Sequence, residues 1–184
     1  MNIIVKPYAS QLCYCRPDTS WEKERRDFYV PDGVTKILWT PVAFARVSKA
    51  GKCVSSKFVS RYYDAVGFGV LLYCDDDGLA FSSCIDHTSL LPMPLYNPVV
   101  FENEENTFHV NTAGKDFGLK TGKKVQEALE DALCRSSERV SLRIGDMVAV
   151  ELASMEVLAE NGNGDVSIKA EYCGNGLFDL KVIF

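Results

Sequence analysis

The chain has 184 residues, of which 47% are hydrophobic and 24% are charged. This composition is typical of one globular domain and argues against a disordered chain. The formal net charge of −5 disfavours a surface for nucleic acid or anionic membranes. No apolar run reaches the ~18 residues that a membrane helix needs, and the N-terminus lacks the apolar stretch of a signal peptide. The odd number of cysteines, seven, then favours reduced thiols and a cytoplasmic location.

Runs of β-branched and aromatic residues, separated by turn signals, predict a series of strands. In chain order the predicted strands are residues 3–5, 34–47, 66–74, 139–143, 147–152, 166–172 and 177–184. Pro41 interrupts the second run and predicts a sheet edge or a bulge there, because proline has no N–H for a ladder. Tight turns are expected at 145–146 and 174–176, where glycine is present.

Helical patterns are few. Ser56 is predicted to cap a short helix that continues to residue 64. A longer helix is predicted from Thr121 to about Cys134, because apolar residues recur on one of its faces. That apolar stripe comprises Val125, Ala128, Leu129, Ala132 and Leu133. One main helix among many strands predicts a single, mostly β domain over residues 1–184, built as a β-roll or sandwich.

Two glycines lie inside the apolar run that precedes residue 74. Gly67 and Gly69 are interpreted as positions where the backbone packs closely against a neighbour. Phosphate contact is the less favoured interpretation, because no glycine-rich phosphate loop is present.

Few residues could carry acid–base chemistry. The chain has two histidines. His109 is expected on a strand, and His87 follows Asp86; both are interpreted as structural, because adjacent strand residues point in opposite directions. Asp75, Asp76 and Asp77 precede a glycine, a pattern more typical of a solvated turn than of a cation site. From these residues alone, the sequence names a fold class but no reaction.

Several segments match, in the same order, the motifs of one known family. Arg-Pro-Asp-Thr-Ser at 16–20 is similar to its Lys-Pro-Asp-(Ser/Thr)-Ser segment, and Phe-Tyr-Val-Pro follows at 28–31. Residues 61–70 match its helix-to-strand passage, and 141–148 match its Thr-Leu-x-x-Gly-Asp-Leu-Ile run. With the closing hairpin that ends at 177–182, these motifs resemble the fumarylacetoacetate hydrolase family. The resemblance implies a mostly β roll that assembles as a homodimer.

The same resemblance implies a metal-dependent chemistry. Members of that family use Mg²⁺ or a similar cation to hold a β-diketone or 2-oxo acid, and then cleave a C–C bond, decarboxylate or isomerise. A Glu-x-Glu pair and one aspartate hold the cation, because a hard cation needs oxygen ligands with negative charge.

At each of these ligand positions the sequence departs from the family pattern. Thr40-Pro41-Val42 stands at the Glu-x-Glu place, Leu71 at the aspartate and Ser83 at a family lysine. A cavity lined by such neutral groups is not expected to retain Mg²⁺, so no cofactor is predicted. The family's Thr-Gly-Thr-Pro turn is also replaced, at 150–153. The N-terminal stretch between Tyr8 and Arg16 is too short for the lid that carries the family's histidine and glutamate.

Three hypotheses follow. The first is a non-catalytic relative that binds a neutral small molecule or pairs with an active relative. The alternative is a small oxo-acid hydrolase, isomerase or decarboxylase with a rebuilt site, for which Asp75, Asp76, Asp86 and His87 are the candidates. The third is a structural or partner subunit, with Trp39 and Phe44 expected at a dimer contact.

Overall fold

The computed structural model describes residues 1–75 and 81–184, which form two β-sheets and one long helix that packs on the larger sheet. The strands are β1 (Asn2–Lys6), β2 (Tyr14–Pro17), β3 (Trp21–Glu22), β4 (Phe28–Tyr29), β5 (Lys36–Val47), β6 (Tyr63–Cys74), β7 (Ser89–Leu90), β8 (Thr107–Thr112), β9 (Lys115–Lys120), β10 (Met147–Glu151), β11 (Glu156–Glu160), β12 (Val166–Tyr172) and β13 (Asn175–Ile183). The long α-helix, α1, is Lys123–Arg139, and short 3₁₀ helices occur at Asp18–Ser20, Ser56–Arg61 and Pro98–Glu102.

Eight strands form the larger sheet. Their order is β2-β1-β10-β5-β6-β7-β3, with β11 paired to β5, and the smaller sheet has the order β4-β13-β12-β8-β9. The larger sheet curls into a nearly closed roll. The predicted mostly β roll with one main helix is therefore confirmed. Within the described residues, no helix has the length and apolar character needed to span a bilayer.

The long pair β5–β6 has two different faces, because side chains alternate along a strand. On the outer face, Ala43 and Phe68 pack with α1 and the smaller sheet in the main core. The inner face carries a second group of buried apolar side chains, which we call the interior cluster. Its members are Ile3, Val5, Val42, Phe44, Leu71, Tyr73, Leu91, Met147 and Ala149. Tyr14 from β2 and Trp21 from β3 both pack against this cluster, although these strands lie at opposite ends of the sheet order.

The helix α1 buries the predicted stripe but extends further than predicted. Val125, Leu129 and Leu133 are buried against the main core. The helix continues past Cys134 to Arg139 because the buried hydroxyl of Ser137 finds hydrogen-bond partners within the folded chain. The Ser137 hydroxyl donates to the Cys134 carbonyl (2.7 Å) and accepts from the Val54 N–H (2.8 Å).

Three local predictions were wrong. Residues 139–143 do not form a strand; only Leu142 makes an isolated bridge, with Gly51. The short helix begins after Ser55 rather than Ser56, and it ends at Arg61. Pro41 lies on an inner strand without a bulge, paired with Val70. Its missing N–H is tolerated because the neighbour of β5 changes there from β10 to β11.

Gly67 and Gly69 do permit the close packing predicted for them. A Cβ at Gly67 would lie 2.4 Å from the Phe44 ring, and one at Gly69 would lie 2.2 Å from the Leu90 carbonyl oxygen. The second contact is with backbone, which cannot rotate away. Gly69 therefore fixes the distance between β6 and β7.

Gly69→Ala is expected to lower the free energy of unfolding by about 1–3 kcal/mol, the usual cost of overpacking, because β7 must move. Urea denaturation of both proteins measures the difference. Gly176→Ala is the matched control, because a Cβ at Gly176 meets nothing within 4 Å. Equal stabilities of Gly69→Ala and the wild type would show that β7 is not held against β6.

Candidate site inside the β-roll

Three of the four predicted cavity positions come together on the inner face of the roll. Thr40 is directly opposite Leu71 in the β5–β6 pairing, and Val42 follows two residues along the same face. All three are 0% exposed, and Ser83, in the segment before β7, is 3% exposed. The Thr40 hydroxyl donates to the Ala153 carbonyl at 2.7 Å.

These side chains are a poor donor set for a divalent cation. Val42 and Leu71 are hydrocarbons packed in the interior cluster, and the Thr40 hydroxyl is used in a hydrogen bond. A hard cation such as Mg²⁺ needs several oxygen ligands and fixed negative charge. Within residues 1–75 and 81–184, no group of three or more His, Cys, Asp or Glu side chains is arranged to hold a metal ion. The residues present therefore do not fit the group that the resemblance implies.

A polar network lies beside the interior cluster, and we call Tyr14, Arg16, Tyr73 and Glu151 the interior polar cluster. The Tyr73 hydroxyl donates to Glu151 Oε1 at 2.6 Å, and the Tyr14 hydroxyl donates to the Tyr73 oxygen. The other carboxylate oxygen, Glu151 Oε2, accepts from the Tyr8 N–H at 2.9 Å. Glu151 is directly opposite Val42 in the β10–β5 pairing, so a carboxylate does lie next to one predicted ligand position.

Arg16 brings a buried positive charge to this cluster. It is 1% exposed, and its Nη2 donates to the Leu72 carbonyl (2.9 Å) and to Thr88 Oγ1 (2.6 Å). The guanidinium carbon lies 4.9 Å from the centre of the Tyr73 ring, a cation–π distance. Its Nε and Nη1 atoms have no hydrogen-bond partner among the described residues.

Burial determines the ionisation of the cluster. Desolvation raises the pKa of Glu151 above its usual value, although the hydrogen bonds from Tyr73 and Tyr8 and the charge of Arg16 oppose this. Desolvation also raises the pKa of Tyr14 to about 12 and raises the pKa of Tyr73. Both phenols are therefore protonated at neutral pH: Tyr73 donates to Glu151, and Tyr14 donates to Tyr73. This arrangement is suited to holding a buried carboxylate and cannot supply a phenolate base.

The raised pKa of Glu151 makes stability depend on pH. The folded chain holds this proton more tightly than the unfolded chain, so the contribution is greatest below the usual glutamate pKa of ~4.3 and is lost as pH rises through the folded value. As the pH rises from below ~4.3 to above the folded pKa, the free energy of unfolding of the wild-type chain should fall relative to that of Glu151→Gln. The fall should be about 1.4 kcal/mol for each unit by which folding raises the Glu151 pKa.

Chemical denaturation from acidic to neutral pH measures this difference. Glutamine has one carbonyl oxygen and can accept only one of the two hydrogen bonds that Glu151 receives, but that loss is the same at every pH. Glu127→Gln, at an exposed position of α1, is the control. A gap between wild type and Glu151→Gln that does not change with pH would contradict the assignment.

The candidate residues of the rebuilt-site hypothesis are only partly brought together. Asp86 and His87 line a cleft of about 700 Å³ at the edge of the roll, together with Glu22. Asp75 is instead half exposed, with Lys36 Nζ at 3.7 Å, and it does not line this cleft. Asp76 lies outside the described residues. His109 is exposed on β8.

His87 has a partner that the sequence did not indicate. Its Nδ1 lies 2.9 Å from Glu22 Oε2, and Glu22 is only 6% exposed. The two residues are 65 positions apart, so no local motif could have paired them. The interior polar cluster was missed for the same reason, although the alternation of Tyr14 and Arg16 on a short strand is a weak signal for it.

Comparison with known proteins identifies the fold. No protein-family model and no curated protein matches the chain. Among solved structures, a protein of Yersinia pestis assigned to the fumarylacetoacetate hydrolase family aligns with a TM-score of 0.78 at 12% identity, over 99% of this chain and 92% of that one. Fumarylpyruvate hydrolase from Pseudomonas aeruginosa, in complex with Mn²⁺ and pyruvate, aligns with a TM-score of 0.77 at 12% identity, over 100% and 88%.

A third similar structure has a different activity. It is 5-carboxymethyl-2-hydroxymuconate delta-isomerase from Mycobacterium smegmatis, with a TM-score of 0.75 and 10% identity, over 99% of this chain and 77% of that one. The chain thus has the fold of the fumarylacetoacetate hydrolase family. The resemblance predicted from the sequence motifs is confirmed for the fold.

Proposed function

We propose that this chain is a divergent, non-catalytic member of the fumarylacetoacetate hydrolase family. It keeps the β-roll and lacks the cation-dependent hydrolysis, isomerisation or decarboxylation that the family performs. The observation that carries the proposal is the burial of Val42 and Leu71, both 0% exposed, in the packed interior cluster. Hydrocarbon side chains at these positions leave no charged oxygen to bind a cation there.

The interior polar cluster supports the same proposal. Its one carboxylate, Glu151, receives a hydrogen bond on each oxygen. The nearby guanidinium of Arg16 adds positive charge, which further disfavours a divalent cation. The interior therefore has the properties of a stable scaffold.

Calorimetry with Mn²⁺ and Mg²⁺ tests this proposal. We expect no binding of either cation to the wild-type chain and no difference from Glu151→Gln, which removes the one carboxylate beside Val42. Turnover assays with a small 2-oxo acid and an acylpyruvate should show no dependence on added cation. Micromolar uptake of Mn²⁺ that Glu151→Gln abolishes would overturn the proposal.

A role as a partner subunit, either as a homodimer or with an active relative, belongs to the same proposal. Trp39 and Phe44 would not contribute to that contact, because they are 4% and 0% exposed within the chain's own cores. The exposed apolar residues available for a contact include Leu12, Tyr29 and Ile144. Solution scattering of the isolated chain measures its mass: a dimer would support this role, and a monomer at all concentrations would contradict self-association.

A further inference from the structure

The cleft that contains His87 is separate from the interior of the roll, and we call it the edge cleft. Along β3, Trp21 packs against the interior cluster, so its neighbour Glu22 faces the opposite side of the sheet. The edge cleft lies on that side, between β3, β4 and the segment 85–87. Its volume of about 700 Å³ is in the range of small-molecule sites, ~300–1,000 Å³.

The imidazole in this cleft has a defined orientation. A carboxylate is only an acceptor at neutral pH, so the bond with buried Glu22 requires the proton on Nδ1 of His87. In the neutral imidazole, the other nitrogen, Nε2, carries a lone pair and can accept a hydrogen bond. Among the described residues, it has no partner.

Two lining residues have unusual backbone conformations. Arg25 and His87 have φ values of 62° and 60°, in the left-handed region that non-glycine residues rarely adopt. Tertiary hydrogen bonds hold both: Arg25 Nη2 donates to the Met93 carbonyl (2.9 Å), and the His87 N–H donates to the Thr19 carbonyl (3.2 Å). Such conformations are concentrated at functional sites.

Charges of both signs remain available in the edge cleft. Arg26 is paired with Glu24, and Asp27 accepts the Lys181 N–H. Asp86 and Arg25, in contrast, belong to no ion pair within the described part of the chain. The cleft therefore offers a carboxylate outside any ion pair and a guanidinium whose remaining N–H groups can donate, and the exposed ring of Tyr29 supplies apolar surface.

We propose that the edge cleft binds a small zwitterion with an apolar body, of the class of free aromatic amino acids. The Asp86 carboxylate and His87 Nε2 accept the N–H groups of its ammonium. The Arg25 guanidinium donates to its carboxylate, and the ligand's apolar side chain packs on the exposed ring of Tyr29. This inference is independent of the proposal for the roll interior.

A matched set of three ligands tests the proposal. L-phenylalanine carries both charges, 3-phenylpropanoate lacks the ammonium, and phenethylamine lacks the carboxylate. Calorimetry should detect binding of L-phenylalanine to the wild-type chain, and each truncated ligand should bind at least about tenfold more weakly, the loss expected for one charge-assisted contact.

Substitutions in the edge cleft test which residues bind the ammonium and the carboxylate of the ligand. Asp86→Asn should weaken L-phenylalanine binding by about tenfold and leave 3-phenylpropanoate unaffected. Arg25→Asn and His87→Asn keep a residue that tolerates a positive φ and should weaken binding as well. Asp165→Asn, an exposed residue outside the cleft, is the control, and circular dichroism checks that each variant is folded.

The possible contrary results are distinct. If 3-phenylpropanoate binds as tightly as L-phenylalanine, the cleft is an anion site; if phenethylamine does, it is a cation site; either result overturns the proposal. The proposal is also overturned if L-phenylalanine shows no binding at concentrations up to about 10 mM. A dissociation constant of that size corresponds to a binding free energy of only ~3 kcal/mol. Cation calorimetry on the roll interior is unaffected by any of these results.

Discussion

Leu71→Asp is expected to lower the free energy of unfolding by about 3–5 kcal/mol or more, enough to unfold much of a typical domain. Leu71 is 0% exposed and lies in the interior cluster. An aspartate there must either ionise without a partner or become protonated and lose its hydration. Both outcomes are costly, because the neighbours are hydrocarbons such as Val42.

Urea denaturation and near-ultraviolet circular dichroism measure this effect. Leu71→Met is the matched control and should cost less than about 1.5 kcal/mol, because it conserves volume and polarity. Adding Mn²⁺ should not restore the aspartate variant. Wild-type stability of Leu71→Asp would show that the position is hydrated and open, contrary to the packed interior.

Phe68→Ala is expected to cost about 3–5 kcal/mol, the usual range for removing a buried aromatic ring. Phe68 is 0% exposed and joins the larger sheet to the smaller one. Its ring stacks on Tyr172 at 4.5 Å between centroids and lies 5.3 Å from Phe108. Its removal leaves a cavity between the two sheets.

Phe58→Ala makes the same chemical change on the surface, where Phe58 is 42% exposed. Its cost should stay below about 1 kcal/mol, from lost cation–π contacts with Lys57 and Arg61. Thermal unfolding of both variants compares the sites. Equal costs would mean that the aromatic contacts between the sheets do not stabilise the fold.

The sequence predicted the long elements because their side-chain periods are unambiguous. The predicted stripe on α1 is buried apart from the half-buried Ala128, and Phe178, Leu180 and Val182 alternate into the core along the strand predicted over 177–184. The end of α1 could not be predicted, because the hydrogen bond that Ser137 accepts from Val54 comes from 83 residues away in the chain. The two-residue strands β3, β4 and β7 are too short to show any period.

The candidate site was predictable only in part. The replacements at Thr40, Val42 and Leu71 follow from aligning motifs, and the strand pairing brings these residues to one face. The partners of Glu151 could not be derived in this way. The hydrogen bond between Tyr73 and Glu151 joins residues 78 positions apart, so it depends on how the roll curls.

The interior of the roll is therefore held together by hydrophobic packing. One protein of similar fold, in contrast, has been solved as a complex with Mn²⁺. A cation site needs space, oxygen ligands and negative charge. At Val42 and Leu71 the interior cluster supplies packed hydrocarbon instead. The one nearby carboxylate, Glu151, has its pKa raised by desolvation, and both of its oxygens already accept hydrogen bonds.

A crystal of the wild-type chain soaked in manganese, with data collected at the manganese edge, shows whether the interior of the roll binds a cation. We expect no anomalous density inside the roll and side chains of Val42 and Leu71 in contact with their neighbours. An anomalous peak coordinated between Thr40, Leu71 and Glu151 would contradict this expectation.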